Sequence, residues 1–466
     1  MANPNKTDVT RRSFLAAAGT GVLTASANAQ PPSKSQRQPN IIYLFSDEHR
    51  WHSMSCTELP ELKTPNLARL AEESAEFTHC ISNYPVCSPY RAMLLTGRWP
   101  YETGIVDNDL PLSPNENTVG KAFQAAGWRT GYIGKWHLRG TRAEPFGFDH
   151  SLIWEKTNQH FDVSEYYPAD NKPVVPKGYN ATLMTDQAIE FIDANRSQPF
   201  ALYVSLNPPH SNFTDAPEVK KALYPEGSLS KRPNWRSAPE GVTEESKFFS
   251  NNGWPYYEGY HAHISAIDDE VGRVMRKLEE LGMEDDTILV YTSDHGSMFG
   301  SHGVGGKRQP YEESIRVPFF VRWPGRIAAK KKVSSLFGTI DVVPTLCGLA
   351  GVKAPSTCKG QDFSGHVIGG GGLDPESQFI MHIAKKNASG AENHPAPLFR
   401  GVRTKQHTYF VTDKGEGSLF DNSADPYQMK NLFDTADART TRDACEKMTC
   451  AWLTAASDPF EQKTGA

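Results

Sequence analysis

Long apolar runs are missing from this chain. Outside a modestly apolar, Ala- and Gly-rich stretch near the N-terminus, no segment approaches the roughly eighteen residues a helix needs to span a bilayer, so the mature chain is not expected to cross a membrane. A surplus of either charge is missing too: 49 Lys and Arg stand against 54 Asp and Glu, for a net charge of −5. That balance gives no electrostatic basis for a nucleic-acid or anionic-membrane partner. Cysteine is scarce, with seven in 466 residues, and no pair has the C-x-x-C spacing of a zinc site. No internal repeat runs through the sequence, which argues against a solenoid. What remains is ordinary for a soluble globular chain, 38% hydrophobic and 22% charged, and the length implies one large domain and one smaller.

The N-terminus reads separately. Thr10-Arg11-Arg12-Ser13-Phe14-Leu15 precedes the apolar stretch, and Ala27-Asn28-Ala29 offers small residues at the −3 and −1 positions of a cleavage site. Residues 1–29 are therefore expected to be a twin-arginine signal peptide, and 30–39 a Pro- and Gln-rich linker. That route implies the Tat export machinery as a partner and a periplasmic or secreted mature protein. It carries folded protein, so a modification of the chain has to be made in the cytosol beforehand. In an oxidising compartment the six cysteines other than Cys87 could pair, with Cys445–Cys450 and Cys347–Cys358 as local candidates, and free buried thiols are equally open.

Short apolar runs alternate with helical patterns, which predicts an α/β domain on a mostly parallel sheet. Asn40-Ile41-Ile42-Tyr43-Leu44-Phe45 reads as a buried first strand, and 64–77 as a capped helix with Pro65 in its first turn. Residues 132–133, 200–206 and 288–292 read as further strands, each followed at once by polar residues of catalytic type. Ligands of open α/β sheets bind beyond the carboxyl ends of strands, so these clusters are expected to converge. Ser46-Asp47-Glu48-His49-Arg50 and Ser293-Asp294-His295-Gly296 put carboxylates at two strand ends, the donor type a hard divalent cation takes. His49 and Arg50 read as surface or supporting residues. In Gly134-Lys135-Trp136-His137-Leu138 the alternation sets Lys135 and His137 on one face of an extended chain and Trp136 on the other. Asn207-Pro208-Pro209-His210 follows another strand.

The most informative segment is Cys87-Ser88-Pro89-Tyr90-Arg91, running on into Leu94-Leu95-Thr96-Gly97-Arg98. Pro89 is accepted in the first turn of a helix, where its missing N–H had no partner, and 89–97 read as that short helix. Its N-terminus would present free N–H groups and the positive end of the dipole to an anion such as a sulfate or phosphate ester. Arg91, one turn in, can reach back to residue 87.

This segment resembles the type I sulfatase signature, C-x-P-x-R followed by T-G-R, at which sulfatases convert the cysteine to formylglycine. The hydrate of that aldehyde carries two hydroxyls on one carbon, one to attack sulfur and one whose proton loss later expels sulfate. The resemblance extends over most of the mature chain, through 263–273 and 340–346 to Gly401-Val402-Arg403 and Ser418-Leu419-Phe420-Asp421. It implies an alkaline phosphatase-like fold: a large mixed, mostly parallel sheet sandwiched by helices over 40–370, and a small C-terminal antiparallel-sheet subdomain over 371–466, with the boundary at the glycines of 369–372. It implies a sulfuric ester hydrolase acting on a sulfated carbohydrate or aryl sulfate, a formylglycine-generating enzyme as partner, and Ca2+ as cofactor with Mg2+ or Mn2+ as alternatives. By match to the family motifs, Asp47, Asp294, His295 and the modified Cys87 hold the metal. Glu48 stands where the family usually has a second Asp, and either ligates or sits beside the ligands; Asp294-His295 replaces a common Asp-Asn. Lys135 neutralises the sulfate and the formylglycine, and His137 takes the proton that triggers sulfate release. His210 binds the ester and protonates the leaving oxygen. Lys307 in Gly306-Lys307 faces the sulfate, and Arg91 balances charge directly or through the nucleophile. Apart from those motifs, Asn108, in the loop just past Thr-Gly-Arg, is a candidate to hydrogen-bond substrate.

Two other functions fit parts of the same pattern. Phosphonate monoester hydrolases and related phosphodiesterases use the same modified cysteine, and some carry Asp-His at the second cluster. A non-catalytic glycan-binding relative would have lost the nucleophile or the metal acids, whereas this chain keeps Cys87, Asp47 and Asp294. Residues 211–257 read as loops over the pocket, in which Trp235, Trp254, Tyr256 and Tyr257 either stack on sugar rings or pack. Trp154, His160, Lys385-Lys386-Asn387 and His394 are further candidates for glycan contacts.

Overall fold

Alternating apolar residues build the central strands. In β1 (Asn40–Asp47), Ile41, Tyr43 and Phe45 enter one core cluster while Ile42 and Leu44 enter the other, the period of two expected of a strand covered on both faces. The structure, a computed structural model, describes residues 38–154, 158–162, 165–168, 170, 172–175, 177–236, 255–384 and 396–460. The signal peptide, the linker as far as Arg37, Trp254, the Lys385-Lys386-Asn387 loop and His394 lie outside the described residues.

Eight more strands join β1: β2 (Ala75–Ile81), β3 (Arg129–Lys135), β4 (His150–Trp154), β5 (Tyr166–Pro168), β6 (Phe200–Pro209), β7 (Thr287–Ser293), β8 (Phe319–Arg322) and β9 (Lys331–Gly338). Their order is β5-β4-β3-β6-β1-β7-β8-β2-β9. The middle of the sheet, β4-β3-β6-β1-β7, is parallel, and antiparallel pairs occur at β5 and around β8. Four adjacent parallel strands, β3, β6, β1 and β7, therefore end on the same edge. Gly134, beside Ser205 of β6, shows why that edge needs its glycine. Its φ is +106°, and a Cβ there would lie 2.1 Å from the Ser205 carbonyl oxygen.

Helices cover both faces. The helix Tyr256–Glu280 lays Ile267, Val271, Val274, Met275 and Leu278 onto the face of Ile42 and Leu44. On the opposite face the helix Cys87–Thr96 buries all ten of its residues: Ala92, Leu94 and Leu95 join the main cluster, and Met93 packs with Tyr84, Trp99, Phe379 and Met381. A second, four-stranded antiparallel sheet follows, β10 (Gln378–His382), β11 (Phe399–Arg403), β12 (His407–Thr412) and β13 (Gly417–Asp421), with the helix Arg439–Ala455 against it. A buried Glu312–Arg403 pair, with Oε1 and Nε 2.7 Å apart, joins it to the helix Glu312–Ile315 of the larger region.

The capped helix expected over 64–77 needs correction. The helix over 64–77 ends at Glu72, and Ala75–Phe77 belong to β2, which pairs with both β8 and β9. Ladder pairing outweighs a run of helix-favouring residues there. The Thr64 hydroxyl accepts from Ser55 N–H at 2.9 Å instead of capping the helix. No disulfide joins the seven cysteines. Cys445 and Cys450 share one helix, where five residues of separation turn their side chains to different faces, one buried and one exposed. Among the described residues no helix is long and apolar enough to cross a membrane.

Candidate active site

Cys87 is the first residue of its helix, following Val86 in an extended conformation. The neighbouring Ser88 N–H is taken by Asn108 Oδ1 at 3.0 Å, so Asn108 serves the helix terminus directly beside residue 87. The Ser88 hydroxyl donates to the His137 carbonyl at 2.5 Å, fastening the end of β3 to the same spot. At its other end the helix stops on Gly97 at φ +64°, the left-handed cap that glycine favours. Sequence and structure thus agree on a short helix aimed at the strand ends.

Around the Cys87 sulfur the predicted clusters meet. Lys307 Nζ lies 3.0 Å from Sγ, His295 Nε2 3.3 Å and Asp47 Oδ1 3.6 Å. The His137 imidazole also interacts with the thiol. On the far side of Asp47, Oδ2 pairs with Lys135 Nζ at 2.6 Å and Arg91 Nη2 at 3.1 Å. Arg91 is fully buried and anchored by the Lys135 carbonyl and the Ser205 hydroxyl, each at 2.6 Å. Asp294 Oδ1 accepts from the backbone N–H groups of Glu48 and His295 at 2.9 and 2.8 Å. Glu48 Oε2 is 3.7 Å from both Lys307 Nζ and His210 Nε2. Glu48 and His137 both have positive φ, 74° and 54°, so the strand ends hold backbone conformations that cost on the order of 1–3 kcal/mol each. The extended geometry expected through His137 is corrected accordingly, although Lys135 and His137 do both reach the site.

Charges shift one another strongly here. Burial opposes ionisation of Cys87, but Lys307, Lys135 and His295 outweigh it and hold the thiol well below its ordinary value. Burial also opposes the charge on His295, yet Asp294 and Cys87 lift it to about 8. Burial and the neighbouring Asp47 charge push Asp294 up to about 7. Two buried carboxylates side by side repel, and a divalent cation between them would remove that penalty.

The residues fit such a cation. Ligand atoms of Asp47, Cys87, Asp294 and His295 all lie within 4.8 Å of one another, and Asp294 Oδ2 is buried with no hydrogen-bond partner. Oxygen donors suit calcium or magnesium, and residue 87 as formylglycine would contribute oxygen where the cysteine has sulfur. Glu48 falls in an adjoining metal-type group with Asp47 and His210, whose ligand atoms likewise lie within 4.8 Å of one another.

Sequence reasoning missed Ser205 and Tyr132, whose hydroxyls lie 2.6 and 3.4 Å from Arg91 Nη1. A strand serine and a strand tyrosine carry no local signal for that task. His49 is fully buried and bonded to Tyr291, and is not a surface residue. Trp154 and Tyr257 are buried in the core, whereas Trp235 is partly exposed beneath Lys231 Nζ at 4.0 Å.

Comparison with known proteins decides the family. A family model described as Sulfatase matches residues 39–352. The chain belongs to the sulfatase family, within the alkaline phosphatase superfamily. A second family model, N-sulphoglucosamine sulphohydrolase, C-terminal, matches residues 300–450 of the sulfatase. It is 34% identical over 442 residues to an ulvan-active sulfatase of Formosa agariphila, covering 91% of this chain and 83% of that protein. It is 29% identical over 488 residues to an N-acetylglucosamine-6-O-sulfatase of Bacteroides thetaiotaomicron, covering 89% and 86%. A protein solved with its substrate D-glucosamine-2-N,6-O-disulfate superposes with a TM-score of 0.79 at 25% identity, covering 92% of this chain and 100% of that one. The sulfatase is accordingly a sulfuric ester hydrolase, and hydrolysis of sulfate esters is the reaction its site has to perform.

Proposed function

We propose that this sulfatase releases inorganic sulfate from a sulfated carbohydrate by means of formylglycine formed at residue 87 and a hard divalent cation, calcium foremost. The observation that carries this reading is the convergence of Lys307, His295 and Asp47 within 3.0–3.6 Å of Cys87 Sγ, at the start of a buried helix. Relatives named for ulvan and N-acetylglucosamine 6-sulfate support the carbohydrate class.

The hydrated formylglycine supplies two hydroxyls on one carbon, one for attack on sulfur and one for the later expulsion of sulfate. A divalent cation would be held by Asp47, Asp294 and His295 and would supply Lewis acidity to the site. The chain's own residues do the rest. Lys307 and Lys135 neutralise the negative charge that gathers on the transferring sulfuryl oxygens. Arg91, locked by Ser205 and the Lys135 carbonyl, fixes Asp47 and adds positive charge behind it. His210 donates its Nδ1–H to the Ser211 carbonyl at 2.9 Å, so that as the imidazolium it passes the proton on Nε2, which stands 3.7 Å from the Glu48 carboxylate, to the leaving alcohol oxygen. His137, beside residue 87, accepts the proton whose loss frees sulfate. Asn108 keeps the helix amide end in place and can reach the substrate from its loop. Water supplies the oxygen and protons of the net reaction, so the products are an alcohol and sulfate.

Residues 1–29 are read as a Tat signal, so that modification of Cys87 precedes export to the periplasm or beyond. The functional test is release of sulfate from a panel of carbohydrate and aryl sulfates with calcium present, alongside phosphonate monoesters. Carbohydrate sulfates turned over at least tenfold faster in kcat/KM support the reading; preferential phosphonate cleavage contradicts it.

A further inference from the structure

A second group of ligand-type side chains stands apart from the Cys87 pocket. His160, just before the isolated bridge at Phe161, places Nδ1 2.7 Å from Asp215 Oδ1, and its backbone N–H donates to Asp215 Oδ2 at 3.0 Å. His263, on the helix Tyr256–Glu280, places Nε2 3.4 Å from the same Asp215 Oδ1 and 3.1 Å from the Asn212 carbonyl oxygen. Three stretches far apart in sequence thus converge on one carboxylate oxygen. Both histidine side chains are 0% exposed, while Asp215 retains 24%, which leaves a way in from solvent. His160 Nε2 is buried with no hydrogen-bond partner. His263 Nδ1 meets the Tyr179 hydroxyl at 2.8 Å, the kind of outer contact that fixes the ring of a metal-ligating histidine.

We propose that His160, Asp215 and His263 form a binding site for a borderline divalent transition-metal ion, zinc foremost, distinct from the hard-cation site at residue 87. Two imidazoles with one carboxylate are a zinc-type donor set, whereas calcium and magnesium prefer oxygen alone. The spacing fits: ligand atoms of a tetrahedral zinc site with bonds of about 2.0–2.1 Å stand roughly 3.3 Å apart. The two contacts of His263 Nε2, at 3.4 and 3.1 Å, already match. The His160–Asp215 contact at 2.7 Å has to open by about half an ångström as the ring proton moves from Nδ1 to Nε2. The Asn212 carbonyl or a water completes the shell. Asn212 and Asp215 lie just beyond His210, so the ion would fasten the segment that follows this histidine to the long helix.

The test uses the full mature protein, stripped with a chelator and then saturated with calcium to occupy the hard-cation site. Titration with ZnCl2 is expected to show one equivalent bound, and zinc absorption spectroscopy to show two imidazole ligands and no sulfur. Asp215→Asn is expected to weaken zinc binding at least tenfold and to abolish the rise in Tm that zinc gives. Absence of zinc uptake over calcium, a sulfur or single-imidazole shell, or unchanged zinc binding by Asp215→Asn would each overturn the proposal. Should Asp215→Asn not fold, the ligand shell of the unaltered protein decides alone.

Discussion

At the scale of single residues, Lys307 and Asp294 are held in charge states that depend on their neighbours. Burial works against the Lys307 ammonium, but Cys87, Glu48, Asp47 and Asp294 surround it with negative charge and keep it protonated. If it stabilises charge developing on sulfate, Lys307→Ala should lower kcat by about 100- to 1,000-fold, the usual effect of removing one such group, as steady-state kinetics would show. A fall of less than threefold would place Lys307 outside the reaction. For Asp294 the sign runs the other way. Its carboxyl, pushed up to about 7, binds a proton through much of the acidic range, and that proton competes with a cation. Cation affinity should therefore weaken as pH falls, by up to about tenfold in Kd per unit below 7 from this one proton, measurable by calorimetric titration at several pH values. The histidine neighbour at about 8 adds to the same trend. An affinity independent of pH would count against Asp294 and His295 as ligands.

Among the elements, the strand ends do most of the positioning. Gly134 sits one residue before Lys135 at φ +106°, pressed on the Ser205 carbonyl, so Gly134→Ala should destabilise by about 2 kcal/mol or more and misplace Lys135. Urea denaturation reads the first effect and kcat/KM the second. The joint between the sheets makes a separate prediction. Burial disfavours the Glu312 charge, but Arg403 reverses this and lowers the carboxyl from its ordinary 4.5 to about 2. A carboxyl depressed on folding adds stability above its unfolded value and loses it below. The pair should therefore stabilise fully above about pH 4.5 and fade as pH falls toward 2. Arg403→Met leaves Glu312 buried without its main partner and should cost about 3–5 kcal/mol at neutral pH, read by denaturant midpoint. That cost should shrink as pH falls toward 3.

These elements also mark how far sequence alone could see. Each polar cluster followed a strand whose apolar run was unmistakable, so Asp47, Lys135, His210 and Asp294 could be placed at one edge before any coordinates. The run Ala71-Glu72-Glu73-Ser74-Ala75-Glu76-Phe77 misled because its local preference is helical, while β8 and β9 supply partners that only the folded chain reveals. His160, Asp215 and His263 were hidden for a different reason: no short spacing connects residues that meet only in three dimensions.

For the whole molecule, the nine-stranded sheet brings four parallel strand ends under one buried helix N-terminus, and the second sheet is tied on through a buried ion pair. This architecture surrounds residue 87 with cations and metal-type ligands, an environment suited to an oxygen nucleophile and a sulfate ester. The direct measurement is mass spectrometry of the tryptic peptide containing residue 87, from protein purified from its native host. The mass of formylglycine, in which the CH2–SH of cysteine has been oxidised to CHO with loss of the sulfur and of two hydrogens, is the predicted result. An unmodified cysteine in protein that still hydrolyses sulfate esters would contradict the proposed nucleophile.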